Sequence, residues 1–249
     1  ADVLVRVHSL FNRPAMRALE ATQLQRPPFV TVITDLVTTP AFWYERRVER
    51  CLVRTQAAYD RGHHFGMQPE QMRITGLPGH PDFVAGLVEK PAAREKLGWE
   101  AGKPAVLLVG GGDGMGPVYH IAREMNRRGL DIQLHIIAGR NRLLQRRLEA
   151  LDWNQPTRVY PFVVNMPELM AAADILVTKA GPATICEACI AGLPIVLSGA
   201  VPGQEDGNVT YVVENGAGVY APGPVRVADT LAAWVAEGPA ALAERAANA

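Results

Sequence analysis

Several things are scarce in this chain, and each shortage removes a class of protein. Three cysteines stand in 249 residues, too few for a disulfide framework, so a reducing compartment is the default. Lys+Arg equals Asp+Glu at 25 each, whereas a nucleic-acid binder carries a basic excess on its binding domain; no nucleic-acid partner is expected. No apolar run approaches the roughly 18–20 residues that span a bilayer, and the first residues lack the basic-then-apolar pattern of a secretory signal. There is no Asp-x-Asp pair to hold a metal on a diphosphate, and no metal or other cofactor is expected. Lysine occurs only at Lys90, Lys96, Lys103 and Lys179. With the abundance of arginine and alanine, this reads as a bacterial protein from a GC-rich genome. Cys186-x-x-Cys189 lacks a second pair and a nearby histidine, so packing of both thiols is the first reading, with a zinc or redox role as the alternative.

What is present is an α/β pattern, in which short β-branched runs alternate with longer helical ones, as in a parallel sheet covered on both faces. The first block reads as strands Val3–Val7, Val30–Thr34, Val48–Arg54 and Arg73–Thr75, with helices Pro14–Gln23 and Ala57–Phe65 between them. Gly76-Leu77-Pro78-Gly79-His80-Pro81 is dense in turn formers and reads as an interdomain connection. A fuller set follows a helix at Ala92–Leu97. Its strands are Ala105–Val109, Gln133–Ala138, Arg158–Tyr160, Ile175–Thr178 and Pro194–Leu197. Its helices are Val118–Arg128, Asn141–Leu151, Met166–Ala172, Ala183–Ala191 and Asn208–Asn215. The expected division is a partial first domain (1–82), a Rossmann-like second domain (83–220) and an Ala-rich helical tail (221–249). The chain opens in what reads as a strand already under way, so an upstream segment is expected. Ligands of such sheets sit beyond the carboxyl ends of the strands, which places the loops after Val109, Ala138, Tyr160, Thr178 and Leu197 on one rim.

Gly110-Gly111-Gly112-Asp113-Gly114-Met115-Gly116-Pro117 joins an apolar strand to a helix. Glycines let backbone N–H groups approach a phosphate, and a helix N-terminus favours the anion. The dinucleotide fingerprint fails in every register, because Met115 or Pro117 occupies the third glycine position. A phosphate or sugar-nucleotide loop is therefore expected, against a plain turn. Thr178-Lys179-Ala180-Gly181-Pro182-Ala183-Thr184 is a second such turn, with Thr184 as an early-helix hydroxyl. Glu187 behind it admits two readings: a carboxylate accepting both ribose hydroxyls, or a residue favoured near a helix start by the macrodipole. In Pro202-Gly203-Gln204-Glu205-Asp206-Gly207-Asn208, the side chains Gln204, Glu205 and Asn208 either read sugar hydroxyls or cap the next helix. Arg140 ends a strand and could face a diphosphate. Phe42-Trp43-Tyr44, followed by Arg46, Arg47 and Arg50, reads either as an aromatic-basic membrane patch or as packing. His8 and Asp35, at strand ends, are weak candidates for acceptor-side catalysis.

Taken together, these pieces resemble the monogalactosyldiacylglycerol synthase family. The likeness is carried by Val109 to Pro117, Ile137-Ala138-Gly139-Arg140-Asn141, Leu151-Asp152-Trp153, Thr178 to Ala188, Gly203 to Asn208 and Tyr211 to Gly216. Val7-His8-Ser9-Leu10, Thr31 to Leu36 and Ile74 to Pro78 resemble the same family's acceptor half. The resemblance implies a GT-B fold of two Rossmann-like domains, the N-terminal one incomplete here, related to the peptidoglycan N-acetylglucosaminyl transferase. It implies an inverting transfer of galactose, or glucose, from a UDP-sugar to diacylglycerol by a peripheral protein at the cytoplasmic face of the cell membrane. It also implies that Gly110, Gly111, Gly112 and the run Lys179, Ala180, Gly181, Pro182, Thr184 hold the diphosphate. Phe162 and Val163 would then present backbone to the uracil, Glu187 would bind the ribose, and Gln204 and Glu205 would read the sugar. The family's histidine base is expected upstream of Ala1. Two departures stand out: Ala183 where the family has Gly, and His80 where it tends to have Arg. A donor-binding subunit needing a separate acceptor chain, or a UDP-sugar epimerase, are the alternatives.

Overall fold

A computed structural model describes residues 2–22, 25–76, 79–85 and 88–248. Leu77 and Pro78 of the expected connection, and Gln23 at the end of the first expected helix, lie outside the described residues. The chain divides into two compact units, one made of residues 1–78 with Pro202–Asn208, the other of Gly79–Val201 with Val209–Ala249.

The first unit holds strands β1 (Leu4–Arg6), β2 (Phe29–Val32), β3 (Arg50–Val53) and β4 (Met72–Ile74), with helices α1 (Asn12–Ala21) and α2 (Gln56–His64). Its sheet runs β1-β2-β3-β4, all parallel. Met16 from α1, Phe29, Cys51 and Val53 from the sheet, and Ala58 from α2 form the core. Trp43 and Tyr44 belong to it too, at 3% and 2% exposure. Trp43 Nε1 donates to the Asp35 carboxylate at 2.7 Å, and the Tyr44 hydroxyl donates to the Ala58 carbonyl at 2.6 Å. Burial pushes the Tyr44 phenol up to about 12. The membrane reading of this aromatic run is thereby corrected: two of its three rings fill the core, and only Phe42, at 41%, reaches solvent. The segment 202–208 packs with this unit, where the Gly207 N–H donates to Thr38 Oγ1 at 3.0 Å.

The second unit begins with α3 (Pro81–Val84) and α4 (Lys90–Leu97). There follow β5 (Ala105–Val109), α5 (Val118–Arg128), β6 (Gln133–Ile137), α6 (Arg142–Glu149), β7 (Thr157–Tyr160), α7 (Met166–Ala172) and β8 (Ile175–Lys179). The rest is α8 (Pro182–Ile190), β9 (Ile195–Gly199), α9 (Asp206–Glu214, in this unit from Val209 on), β10 (Gly218–Tyr220), α10 (Pro224–Glu237) and α11 (Pro239–Asn248). The strand order is β10-β9-β8-β5-β6-β7, all parallel. This is the doubly wound order in which successive strands grow outward from β5 one way and then, through β8, the other, so the switch point lies between β5 and β8. All five residues of β5 are buried, as a central strand covered on both faces requires.

Val106 and Leu108 pack with Ile121 and Met125 of α5 and with Val227, Leu231 and Trp234 of α10. The expected tail is thus part of this unit's core, and it is two helices because Gly238 (φ +86°) and Pro239 break it. Strand β10 escaped the sequence reading. It is three residues long and lies against β9 so closely that a Cβ on Gly218 would overlap the Ile195 carbonyl.

Candidate functional site

The carboxyl ends of β5 and β6 and the loop after β7 converge, with the start of α8, on a cavity of about 220 Å³ within the second unit. Gly111, Gly112, Phe162, Val163, Thr184 and Glu187, all anticipated from sequence, line it. Gly139, in the rim loop after Ala138, lines it as well, as do Met166 and Ile137, which were not named as site residues. Met166 opens a helix, and only the fold brings it to this rim.

The glycine run divides into two jobs. Gly110 and Gly114 are demanded by packing: a Cβ on Gly110 would lie 2.7 Å from Val118 Cγ2, and one on Gly114 would overlap the Ala138 carbonyl. Gly111 and Gly112 face the cavity instead. Their carbonyls are spent on the Gly114 N–H (3.1 Å) and the Arg140 N–H (2.8 Å). That fixes the turn with the remaining backbone donors available to a ligand.

Helix α8 starts with Gly181 as N-cap and Pro182 in its first turn. The N–H groups of Ala180 and Gly181 are already committed to Gly199 O and Lys179 O, each at 2.8 Å, and Pro182 has none. The helix donors left for an anion are those of Ala183 and Thr184. Glu187 stands four residues from Ala183 and three from Thr184, spacings that make it the helix-surface neighbour of both. Glu187 is half-buried, and burial pushes its carboxyl above the ordinary carboxylate range, opposed by the nearby charge of His80. His80 sits at the start of α3, where its Nδ1 accepts from the Asp82 N–H at 3.3 Å.

Arg140 stands at the cavity's mouth. Its guanidinium lies 4.2 Å from the centroid of the Phe162 ring and 3.4 Å from the Asp113 carboxylate. A Cβ on Gly112 would meet Arg140 at 3.4 Å and Phe162 at 3.7 Å. Lys179 takes a different place. It lines a second, more apolar cavity of about 240 Å³ with Met115, Gly116, Ser198 and Gly199. The two cavities share Val109, at the tip of β5. The register shift between β8 and β9 falls at Thr178/Lys179.

Gln204, Glu205 and Asn208 fall in the segment that groups with the first unit, with Glu205 and Asn208 buried at 4% and 1%. His8 is exposed and caps a short turn, its Nδ1 accepting from the Leu10 N–H at 3.3 Å. Asp35 is 6% exposed and spends a carboxylate oxygen on Trp43.

The comparisons with known proteins agree with this architecture. Residues 105–247 match the model of the glycosyltransferase family 28 C-terminal domain, and residues 1–78 match that of monogalactosyldiacylglycerol (MGDG) synthase. Among solved structures, MurG of Acinetobacter baumannii superposes with a TM-score of 0.66 at 17% identity, covering 100% of this chain and 68% of that one. WaaG, a glycosyltransferase involved in lipopolysaccharide biosynthesis, superposes with a TM-score of 0.62 at 18% identity, covering 98% and 79%. HepE of Anabaena, solved in complex with UDP-glucose, gives 0.65 at 17% identity, covering 99% and 72%. The fold is GT-B. The chloroplastic monogalactosyldiacylglycerol synthase of Spinacia oleracea is 41% identical over 241 residues, which cover 94% of this chain and 46% of that protein. Synthase 1 of Arabidopsis thaliana is likewise 41% identical, covering 94% and 45%. The chain belongs to the family 28 glycosyltransferases, and it is similar to the monogalactosyldiacylglycerol synthases. It spans about half the length of these relatives.

Proposed function

We propose that the chain is the donor-binding part of an inverting glycosyltransferase that moves galactose, or glucose, from a UDP-sugar to diacylglycerol. The observation that carries this reading is the cavity at the β5/β8 switch point, in which a half-buried carboxylate, Glu187, faces the backbone of Gly111 and Gly112 across a small volume. Such a carboxylate can accept two vicinal hydroxyls, as a ribose offers. The glycine N–H groups and the free N–H groups of Ala183 and Thr184 suit a diphosphate, and Phe162 and Val163 suit a flat base.

In the transfer, the acceptor hydroxyl attacks the anomeric carbon opposite UDP, the bond to UDP breaks, and the acceptor proton passes to a base. The charge gathering on the leaving diphosphate is stabilised by preorganised N–H donors and the α8 dipole, so the proposed reaction needs no metal. His8 and Asp35 hold structural hydrogen bonds, and neither is assigned the proton. Gln204 and Glu205 are proposed to read the sugar.

The proposed setting is the cytoplasmic face of the cell membrane, with the protein bound peripherally. No helix among the described residues is long and apolar enough to cross a membrane. An open groove of about 650 Å³ in the first unit gathers Arg13, Arg17, Arg46 and Arg47, of which Arg47 is paired with Glu45 and Glu20, and a polybasic surface is attracted to anionic lipid.

Calorimetric titration with UDP, UDP-galactose and UDP-glucose, without added metal, tests the donor reading. UDP affinity in the micromolar range that is largely lost in Glu187→Ala supports it, and the ranking of the two sugars names the donor. A folded chain indifferent to all three overturns it.

A further inference from the structure

A third cavity of the second unit, of about 300 Å³, lies at the opposite ends of the same two strands. Lys103 and Pro104 lead into β5 and Asp174 leads into β8; α4 contributes Lys90 and Arg94, and the α10–α11 junction contributes Gly238 and Pro239. It shares no residue with the donor cavity. Two of the chain's four lysines line it, together with an arginine, against a single carboxylate.

The walls are preformed. Arg94, 8% exposed at its side chain, donates to the carbonyls of Ala172 (2.9 Å) and Ala101 (2.8 Å) and pairs with Asp174. It therefore contributes a fixed positive charge and has no freedom to swing away. Asp174 is saturated, accepting from Arg94, from the Ala105 N–H at 2.8 Å and from Lys90 at 2.7 Å. Lys103 differs. Its counter-charge, Asp131, lies at 3.0 Å with a side chain 86% exposed, and an exposed pair of that kind is worth about 0–1 kcal/mol. Its ammonium can turn inward at little cost.

We propose that this cavity is an anion site for a phosphate group, either inorganic phosphate or a phosphate monoester. Lys103 is its mobile donor, Lys90 reaches it from its pair with Asp174, and Arg94 is the fixed charge behind them. A compact dianion matches two ammonium groups and a buried guanidinium, with one carboxylate already neutralised. The volume stands at the lower bound for small-ligand sites, which favours a small headgroup over a nucleotide. Occupancy would tie α11 to the loop before β5.

The test is a phosphate titration of the full chain followed by amide resonances, against chloride at matched ionic strength. Saturable shifts are expected at Gly102, Gly192 and Gly238, with affinity weakened about tenfold in Lys103→Gln and further in Lys90→Gln/Lys103→Gln. Lys96→Gln, which lies outside the cavity, should leave the titration unchanged. Parallel sedimentation with phosphatidylcholine vesicles, with and without phosphatidate, distinguishes the source. Vesicle binding lost in the double variant assigns a lipid headgroup, and shifts with free phosphate alone assign a soluble ligand. Shifts confined to Gly111 and Gly112, shifts that chloride reproduces, or shifts that survive in both lysine variants overturn the proposal. Because the reporter amides belong to this cavity alone, the result does not depend on whether the donor site binds UDP.

Discussion

The guanidinium of Arg140 lies over the ring of Phe162 at 4.2 Å while reaching the Asp113 carboxylate at 3.4 Å. All three groups are exposed at the rim of the donor cavity, so the pairing is cheap to rearrange: a cation over an exposed ring is worth about 0.5–1 kcal/mol. Arg140 can therefore leave Phe162 for a diphosphate without unfolding anything. Arg140→Ala is expected to raise the Kd for UDP by about tenfold and to leave the melting temperature within about a degree, since surface changes fall within about ±0.5 kcal/mol. Calorimetry and a thermal melt on one sample check both. A large fall in stability with unchanged UDP affinity would make the contact structural.

Glu187 gives the donor site a pH signature. Burial raises its folded-state pKa, and a carboxylate must be ionised to accept two hydroxyls. UDP affinity should therefore be full at neutral pH and fall as pH drops through a value above the ordinary 4.5. In Glu187→Gln the affinity is weak throughout and the acid limb is flat. Calorimetry between pH 7 and pH 5 reads the slope, and an unchanged acid limb in the variant would assign the titration elsewhere.

Much of this was legible from local pattern. The elements Ala105–Val109, Val118–Arg128 and Met166–Ala172 end where the sequence placed them, because each is a buried strand or an amphipathic helix bounded by glycine, proline or a polar cap. Glu187, Thr184, Phe162 and the glycine pair could be named because strand-to-helix turns in a doubly wound sheet fall on one rim. What escaped is non-local. Trp43 and Tyr44, in a row with arginines, left a membrane patch and packing both open, and the buried partners Asp35 and Ala58, eight and fourteen residues away, decide for packing. The backbone donors of Ala180 and Gly181 look available until β9 supplies Gly199 and the turn supplies Lys179 as acceptors. Segment 202–208 reads as a loop of the second domain, yet Gly207 packs on Val37 and Thr38 so tightly that a Cβ would lie 2.7 Å from Val37 Cβ.

The glycine turn separates packing from binding. At Gly114, φ is +59° and a Cβ would strike both the Ala138 carbonyl and Asn141. Gly114→Ala should thus cost more than the 1–2 kcal/mol of the left-handed conformation alone. Gly116, at φ +86° with no atom within 4 Å of a Cβ, should show the conformational cost only. Urea unfolding of the two variants measures the difference. Equal losses would show that the Gly110–Gly116 turn yields to the added methyl.

The basic groove of the first unit predicts how membrane attachment responds to salt. Arg13, Arg17 and Arg46 are exposed around it, and each arginine near an anionic surface contributes about 1 kcal/mol. Arg13→Ala/Arg17→Ala/Arg46→Ala should weaken sedimentation with phosphatidylglycerol vesicles by two orders of magnitude or about that, and the remainder should be insensitive to salt. Binding to neutral vesicles should not change. Retention of full, salt-sensitive binding would move the contact off this groove.

His135 makes the second unit acid-sensitive by a route separate from ligand binding. Its ring stacks on Trp99 at 3.4 Å and is 5% exposed. Burial, with the nearby charges of Arg158 and Arg94, lowers its pKa from 6.5 to about 3. The unfolded chain therefore takes up a proton near pH 6.5 that the folded chain refuses until about pH 3. The stabilisation is complete above the unfolded value, erodes as pH falls below it, and has cost about 2 kcal/mol by pH 5. In His135→Phe the ring stack on Trp99 can persist without a titrating group, so stability between pH 7 and pH 5 should be flatter than in the parent chain. Chemical denaturation at the two pH values, in parent and variant, gives the comparison directly. An equal pH slope in both would place the acid sensitivity in other groups and leave His135 as a packing residue only.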